Sequence, residues 1–136
     1  MGGYSMRILF LGDIVGPPGI TFLKRALKPF VAAENVDLVI ANAENASTGM
    51  GITPAAYRQI RETGVDLVTL GDHVYKKQDI IGVLEKDDRI CRPANLPTTY
   101  CNTSLACATS TRNMTNAKFR PSALYAGISS INNAGT

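Results

Sequence analysis

The sequence predicts an α/β fold built on a parallel sheet, and three observations carry that prediction. Apolar runs of strand length alternate with amphipathic segments of helix length, in the order β-α-β-α-β-α with a short fourth strand behind them. The strand runs are apolar nearly throughout, as strands covered by other layers are. Each pair of strands is joined through a helix-length segment, which brings right-handed crossovers and parallel neighbours.

The elements follow in order. Arg7–Leu11 is a β run, and a glycine–proline loop follows it. Leu23, Ala26, Leu27, Phe30 and Val31 then recur at i, i+3, i+4, i+7 and i+8, the stripe of an amphipathic helix. Pro29 lies inside that stripe and should kink the helix or end it early. Asp37–Asn42 is the second strand. Thr53 before Pro54 is a helix start, a capping hydroxyl ahead of proline at the first helical position, and Gly64 is the matching stop. Val65–Leu70 forms the third strand, Lys76–Lys86 the third helix and Arg89–Cys91 a short fourth strand.

The pattern dissolves near Pro97. Of the residues from Cys101 to Thr136, fifteen are Ser, Thr or Asn and six more are Ala, with no periodicity beyond a short segment around Ala123–Ile131. Two units are therefore expected: an α/β domain over 6–97, and over 98–136 a polar, low-complexity tail, poorly ordered or out of frame. Three bare βα units would leave a sheet edge or face uncovered, so an oligomeric or poorly soluble product is expected.

Composition excludes several classes. The longest apolar stretches, Ile8–Leu11 and Leu38–Ala41, are far short of the roughly 18 residues of a membrane span. Met1–Ser5 is too short and polar for a signal peptide, which points to the cytoplasm. Cys91, Cys101 and Cys107 are an odd number without a CxxC pair, so they read as reduced thiols. The net charge of +3 comes wholly from Arg112, Lys118 and Arg120, since residues 1–100 hold eleven basic and eleven acidic side chains. Three charges spread over the last 36 residues are too few for a nucleic-acid footprint.

Chemistry collects at the strand ends. The first run closes on Gly12-Asp13, the second on Glu44-Asn45 and the third on Gly71-Asp72-His73. The carboxyl ends of adjacent parallel strands open on one crevice, where ligands bind. Three carboxylates, one amide and the chain's single histidine would meet there. Clustered carboxylates repel unless a cation joins them, and oxygen plus imidazole donors suit manganese, iron or magnesium. The glycines before Asp13 and Asp72 are expected to let the backbone turn sharply and to leave room above the strand tips. Gly12, Gly16 and Gly19 match neither the dinucleotide nor the P-loop spacing, and Pro17 and Pro18 remove two backbone donors.

Taken together, Gly12-Asp-Ile-Val-Gly16, Ala43-Glu-Asn-Ala46, Gly71-Asp-His73 and Arg92-Pro-Ala-Asn-Leu-Pro97 resemble a bacterial family of calcineurin-like metallophosphoesterases, the small 2′,3′-cyclic-nucleotide 2′-phosphodiesterases. The resemblance covers about residues 6–97. It implies the first half of a metallophosphoesterase-type α/β sandwich, two divalent metal ions and a small phosphoester substrate hydrolysed by in-line displacement. It further implies that Asp13 binds one metal, Glu44 bridges both, Asn45 completes the shell of the first ion, Asp72 serves the second ion and His73 donates a proton to the leaving oxygen. Asp72 stands where the family has asparagine. The family draws further ligands from histidines of its second half, whereas this chain has none after His73. The expectation is a truncated or frame-shifted member of the family. The alternative is a non-catalytic α/β module that binds a nucleotide or partner in the same crevice.

Overall fold

The computed structural model describes residues 5–96. The tail over 98–136, with Cys101, Cys107 and the segment around Ala123–Ile131, lies outside them. Four strands, β1 (Ile8–Leu11), β2 (Leu38–Asn42), β3 (Leu67–Thr69) and β4 (Ile90–Cys91), form one sheet in the order β1-β2-β3-β4. All three pairings are parallel, with Ile8 opposite Leu38, Ile40 opposite Leu67 and Val68 opposite Ile90. The connections carry helices α1 (Gly16–Glu34), α2 (Pro54–Glu62) and α3 (Ile81–Leu84). The α/β class and the parallel sheet expected from the sequence are both present.

A sequential strand order with right-handed crossovers puts successive helices on one side of the sheet. Leu9, Leu11, Val39, Ala41, Val68 and Ile90, all on that side by the two-residue alternation, share a core with Ile20, Leu23 and Leu27 of α1 and Ala56, Tyr57 and Ile60 of α2. Ile8 and Phe10 point the other way from the edge strand β1 and stay 46% and 53% exposed. Ile40, on the same side as Phe10, is buried yet lies outside that core. The described residues thus form a half-sandwich, with one sheet face packed and apolar side chains presented on the other.

Three expectations for α1 need correction. Gly16-Pro17-Pro18-Gly19 is not a loop but the first turn of the helix. Proline is well suited to that turn, where the N–H groups it lacks have no intrahelical acceptor anyway. Nor does Pro29 end the helix, which continues to Glu34 and stops at Asn35 in the left-handed conformation, its N–H bonded to the Val31 carbonyl. Pro29 and Arg25, whose carbonyl loses its intrahelical partner, both lie on the exposed face of the helix. Leu27 and Val31 hold the helix on the sheet at either side of it. Phe30, assigned to the buried stripe from sequence, is 48% exposed, and Ile20 extends the stripe instead.

Helix α2 starts as expected. The Thr53 hydroxyl accepts from the Ala56 N–H at 3.2 Å and Pro54 follows it, a cap that contributes about 1 kcal/mol. Gly64, at φ 107°, takes the chain out of the helix. The third helix is much shorter than expected. A 3₁₀ turn over Gln78–Ile80 leads into the four residues of α3. The chain before it is spent on tight turns, with Val74 N–H bonded to Gly71 O and Lys76 N–H to His73 O. Gly82 further weakens the helix interior. Ile80 and Leu84, one turn apart, still reach the core.

Carboxylates fasten the amino ends of the strands. Asp37 accepts from the Arg7 N–H and Asp66 from the Val39 N–H, both at 2.8 Å. A third carboxylate, Asp87, joins α2 to the approach of β4: the Tyr57 hydroxyl donates to it at 2.8 Å and Arg89 pairs with it at 3.0 Å. Burial pushes the Asp87 carboxyl up, but the hydrogen bonds from Arg89 and Tyr57 outweigh it and hold the group below its ordinary value of 3.8. Burial and the same contact push the Tyr57 phenol well above its usual range. A carboxyl held low in the folded state adds stability that is present above its unfolded value and disappears as pH falls through the folded one. Stability is therefore expected to decline below about pH 4, and less steeply in Tyr57→Phe. Urea midpoints of both proteins between pH 2 and 6 check this; parallel acid limbs would contradict it.

Candidate metal centre

Each strand delivers its polar residues where the ladder ends. After β1 the chain turns at Gly12-Asp13, and Ile14 N–H bonds to the Asn42 carbonyl at 2.9 Å. Gly16 N–H then bonds to the Asn45 carbonyl at 3.0 Å, so the loop after β1 lies on the loop after β2. Ala43 and Ala46, almost fully buried, fix the backbone on either side of Glu44 and Asn45. Beyond β3, Leu70 N–H bonds to the Cys91 carbonyl at 2.9 Å and Gly71-Asp72-His73 turns over the strand tips. With Ala43 N–H bonded to the Thr69 carbonyl at 3.1 Å, backbone bonds thus bring the carboxyl ends of β1, β2 and β3 to one crevice.

Glu44, Asp72 and His73 each offer a ligand atom there, all within 4.8 Å of one another. Asp72 is largely open to solvent, with 85% of its side chain exposed, whereas His73 is mostly covered at 27%. His73 Nε2 lies 3.8 Å from Asp72 Oδ2, and the His73 N–H donates to Glu44 Oε2 at 3.1 Å. Asp13 stands outside this trio but is joined to it through one amide: Asn45 Nδ2 donates to Asp13 Oδ1 at 2.9 Å, and Asn45 Oδ1 lies 2.5 Å from His73 Nδ1.

That chain determines a tautomer. An ionised carboxylate only accepts, so Asn45 turns its NH₂ to Asp13 and its oxygen to His73. Nδ1 must then carry a proton and donate it to Asn45, while Nε2 faces Asp72. All five residues singled out from sequence meet at the strand ends, three as a direct cluster and two as a hydrogen-bonded bridge. Of the two glycines expected to allow sharp turns, neither Gly12 nor Gly71 has a left-handed backbone. A Cβ at Gly12 would meet only open space, while one at Gly71 would collide with the Glu44 carboxylate.

Sequence reasoning used Arg92 only as part of a motif. The side chain is buried and folds the following turn back on itself, its guanidinium donating to the Pro93 and Leu96 carbonyls at 3.1 and 2.7 Å. The Arg-Pro-Ala-Asn run was the only signal for it.

The donor set suits a divalent cation, two carboxylates and an imidazole within reach of one ion. The model for the YmdB-like protein family matches residues 9–117. The chain belongs to that family. The match runs past Pro97, where the resemblance read from the four motifs stops. A 2′,3′-cyclic-nucleotide 2′-phosphodiesterase of Bacillus subtilis is 36% identical over 92 residues, which are 68% of this chain and 35% of that protein. Among solved structures, a hypothetical protein of Thermus thermophilus superposes with a TM-score of 0.62 at 41% identity, over 69% of this chain and 36% of that one. A novel phosphatase of Mycoplasma pneumoniae superposes with a TM-score of 0.68 at 34% identity, over 76% and 37%. Proteins similar to this chain thus include ones named as phosphodiesterases and phosphatases. The chain spans about a third of the length of the curated relatives it matches. No helix among the described residues is long and apolar enough to cross a membrane.

Proposed function

We propose that the crevice is the first-half ligand set of a metal-dependent phosphodiesterase acting on cyclic nucleotides or related small phosphoesters. The observation that carries this reading is the meeting of Glu44, Asp72 and His73 within 4.8 Å, with Asp13 one amide away. In this reading Asp13, Glu44, Asn45 and Asp72 would hold two divalent ions, manganese or iron ahead of magnesium. Such ions would supply Lewis-acid charge stabilisation for in-line displacement at phosphorus. His73, steadied by Asn45, gives a proton to the departing oxygen when it is doubly protonated. Asp72 Oδ2 lies 3.8 Å from the His73 Nε2, on the crevice side of the ring.

His73 is the chain's only histidine, and the four proposed ligands, Asp13, Glu44, Asn45 and Asp72, are all oxygen donors. The exposed Ile8 and Phe10 face supports self-association, and the cytoplasm remains the proposed compartment. The single histidine also favours a second reading, a module that binds metal and nucleotide in the crevice without turnover. Hydrolysis of 2′,3′-cyclic AMP by the purified chain with manganese, before and after chelation by EDTA, separates them. Turnover that EDTA abolishes and manganese restores is expected; metal binding without turnover would replace the first reading with the second.

A further inference from the structure

We infer that Gly71 is the positioning residue for Glu44: it leaves empty the volume in which the Glu44 carboxylate lies. A Cβ at position 71 would fall within 2.6 Å of the carboxylate carbon and closer to both oxygens, where carbon contacts normally settle at about 3.5–4.0 Å. No other atom is among its three nearest neighbours. Backbone conformation is not the reason for the glycine. The glycines with positive φ are Gly16, Gly49, Gly51 and Gly64, so Gly71 has a conformation that alanine adopts as well. Gly12, which also precedes an aspartate at a strand tip, has nothing within 4 Å of its would-be Cβ. The requirement is therefore spatial and specific to the third strand.

The seat has a second wall. With the carboxylate lying flat over Gly71, the His73 N–H reaches Oε2 at 3.1 Å. One side chain from the end of β2 is thus fixed on the backbone beyond β3, pointing toward Asp72 and His73. An alanine at 71 would displace the free end of a flexible side chain and not the backbone. The fold survives, while the carboxylate leaves its place and the His73 amide loses its acceptor. The consequence for metal binding rests on the proposed metal centre; the displacement itself does not.

The test uses the full chain, with manganese as the probe. In Gly71→Ala, manganese affinity measured by calorimetry is expected to fall about tenfold or more, the scale set by groups that orient metal ligands. Adding Glu44→Asp withdraws the carboxylate by one methylene from the new Cβ, so the double variant is expected to bind manganese more tightly than Gly71→Ala alone. In the metal-free protein, the His73 amide resonance is expected to move in the same direction in Gly71→Ala and in Glu44→Ala, each of which removes the acceptor. Unchanged manganese affinity or an unmoved amide resonance would overturn the inference, as would a loss of cooperative melting that Glu44→Asp leaves unrepaired. If the parent chain binds no manganese, the metal reading fails and the amide resonance still decides the role of Gly71.

Discussion

Asp13→Ala is expected to lower manganese-dependent hydrolysis of 2′,3′-cyclic AMP by at least about a hundredfold while leaving the fold intact. Groups that merely orient metal ligands are worth about 10–100-fold, so a ligand itself should cost no less. The fold is insulated because Asp13 is exposed and its carboxylate accepts from the Asn45 amide, itself at the crevice. Water can replace the lost acceptor, and surface changes of this kind stay within about 0.5 kcal/mol. Asp13 has two roles to separate, a negative ligand in the proposed centre and an acceptor that orients Asn45 and, through it, His73. Asp13→Asn keeps an acceptor oxygen but removes the charge. Loss of turnover and of manganese affinity in both variants would assign Asp13 to the metal. An Asp13→Asn enzyme that works like the parent would assign it to the orientation of His73 alone, and an active Asp13→Ala would remove it from the site.

The largest effect on stability is expected at Ile60. Its side chain is fully buried, on the face of α2 that meets the sheet. Truncation to alanine removes its transfer free energy and leaves a cavity, together about 2–5 kcal/mol. The higher helix propensity of alanine offsets only a few tenths of that. In a domain of this size each kcal/mol moves the melting temperature by about 4–8 °C, so a drop on the order of 10 °C or more is expected. Domains have only about 5–15 kcal/mol in all, and a half-sandwich with Ile8 and Phe10 exposed should lie low in that range. Ile60→Val should cost about 0.5–1.5 kcal/mol, while Phe22→Ala, at a position 69% exposed, should change little. A denaturant midpoint for Ile60→Ala equal to the parent's would show that this layer of the core does not hold the domain together.

The features that were legible in the sequence are those whose signal is local. Leu38–Asn42 is too apolar and too short for anything but an inner strand, and β2 pairs on both sides. Thr53-Pro54 and Gly64 marked α2 because capping and left-handed backbone are properties of single positions. Misjudged elements are those where packing overrides propensity. Pro29 stays within α1 because Leu27 and Val31 are held by the sheet, and the third helix dwindles because a 3₁₀ turn over Gln78–Ile80 takes its start.

For the site, the sequence alone determined which residues arrive at the crevice. Asp13, Glu44, Asn45, Asp72 and His73 directly follow strands of a parallel sheet, and topology takes such residues to one end. Only the tertiary structure decided how they are joined there. Asn45 reaches back 32 positions to Asp13 and forward 28 to His73, while Gly71 makes room for Glu44. Contacts between the tips of different strands depend on loop height and side-chain reach, which register and periodicity within one segment do not encode.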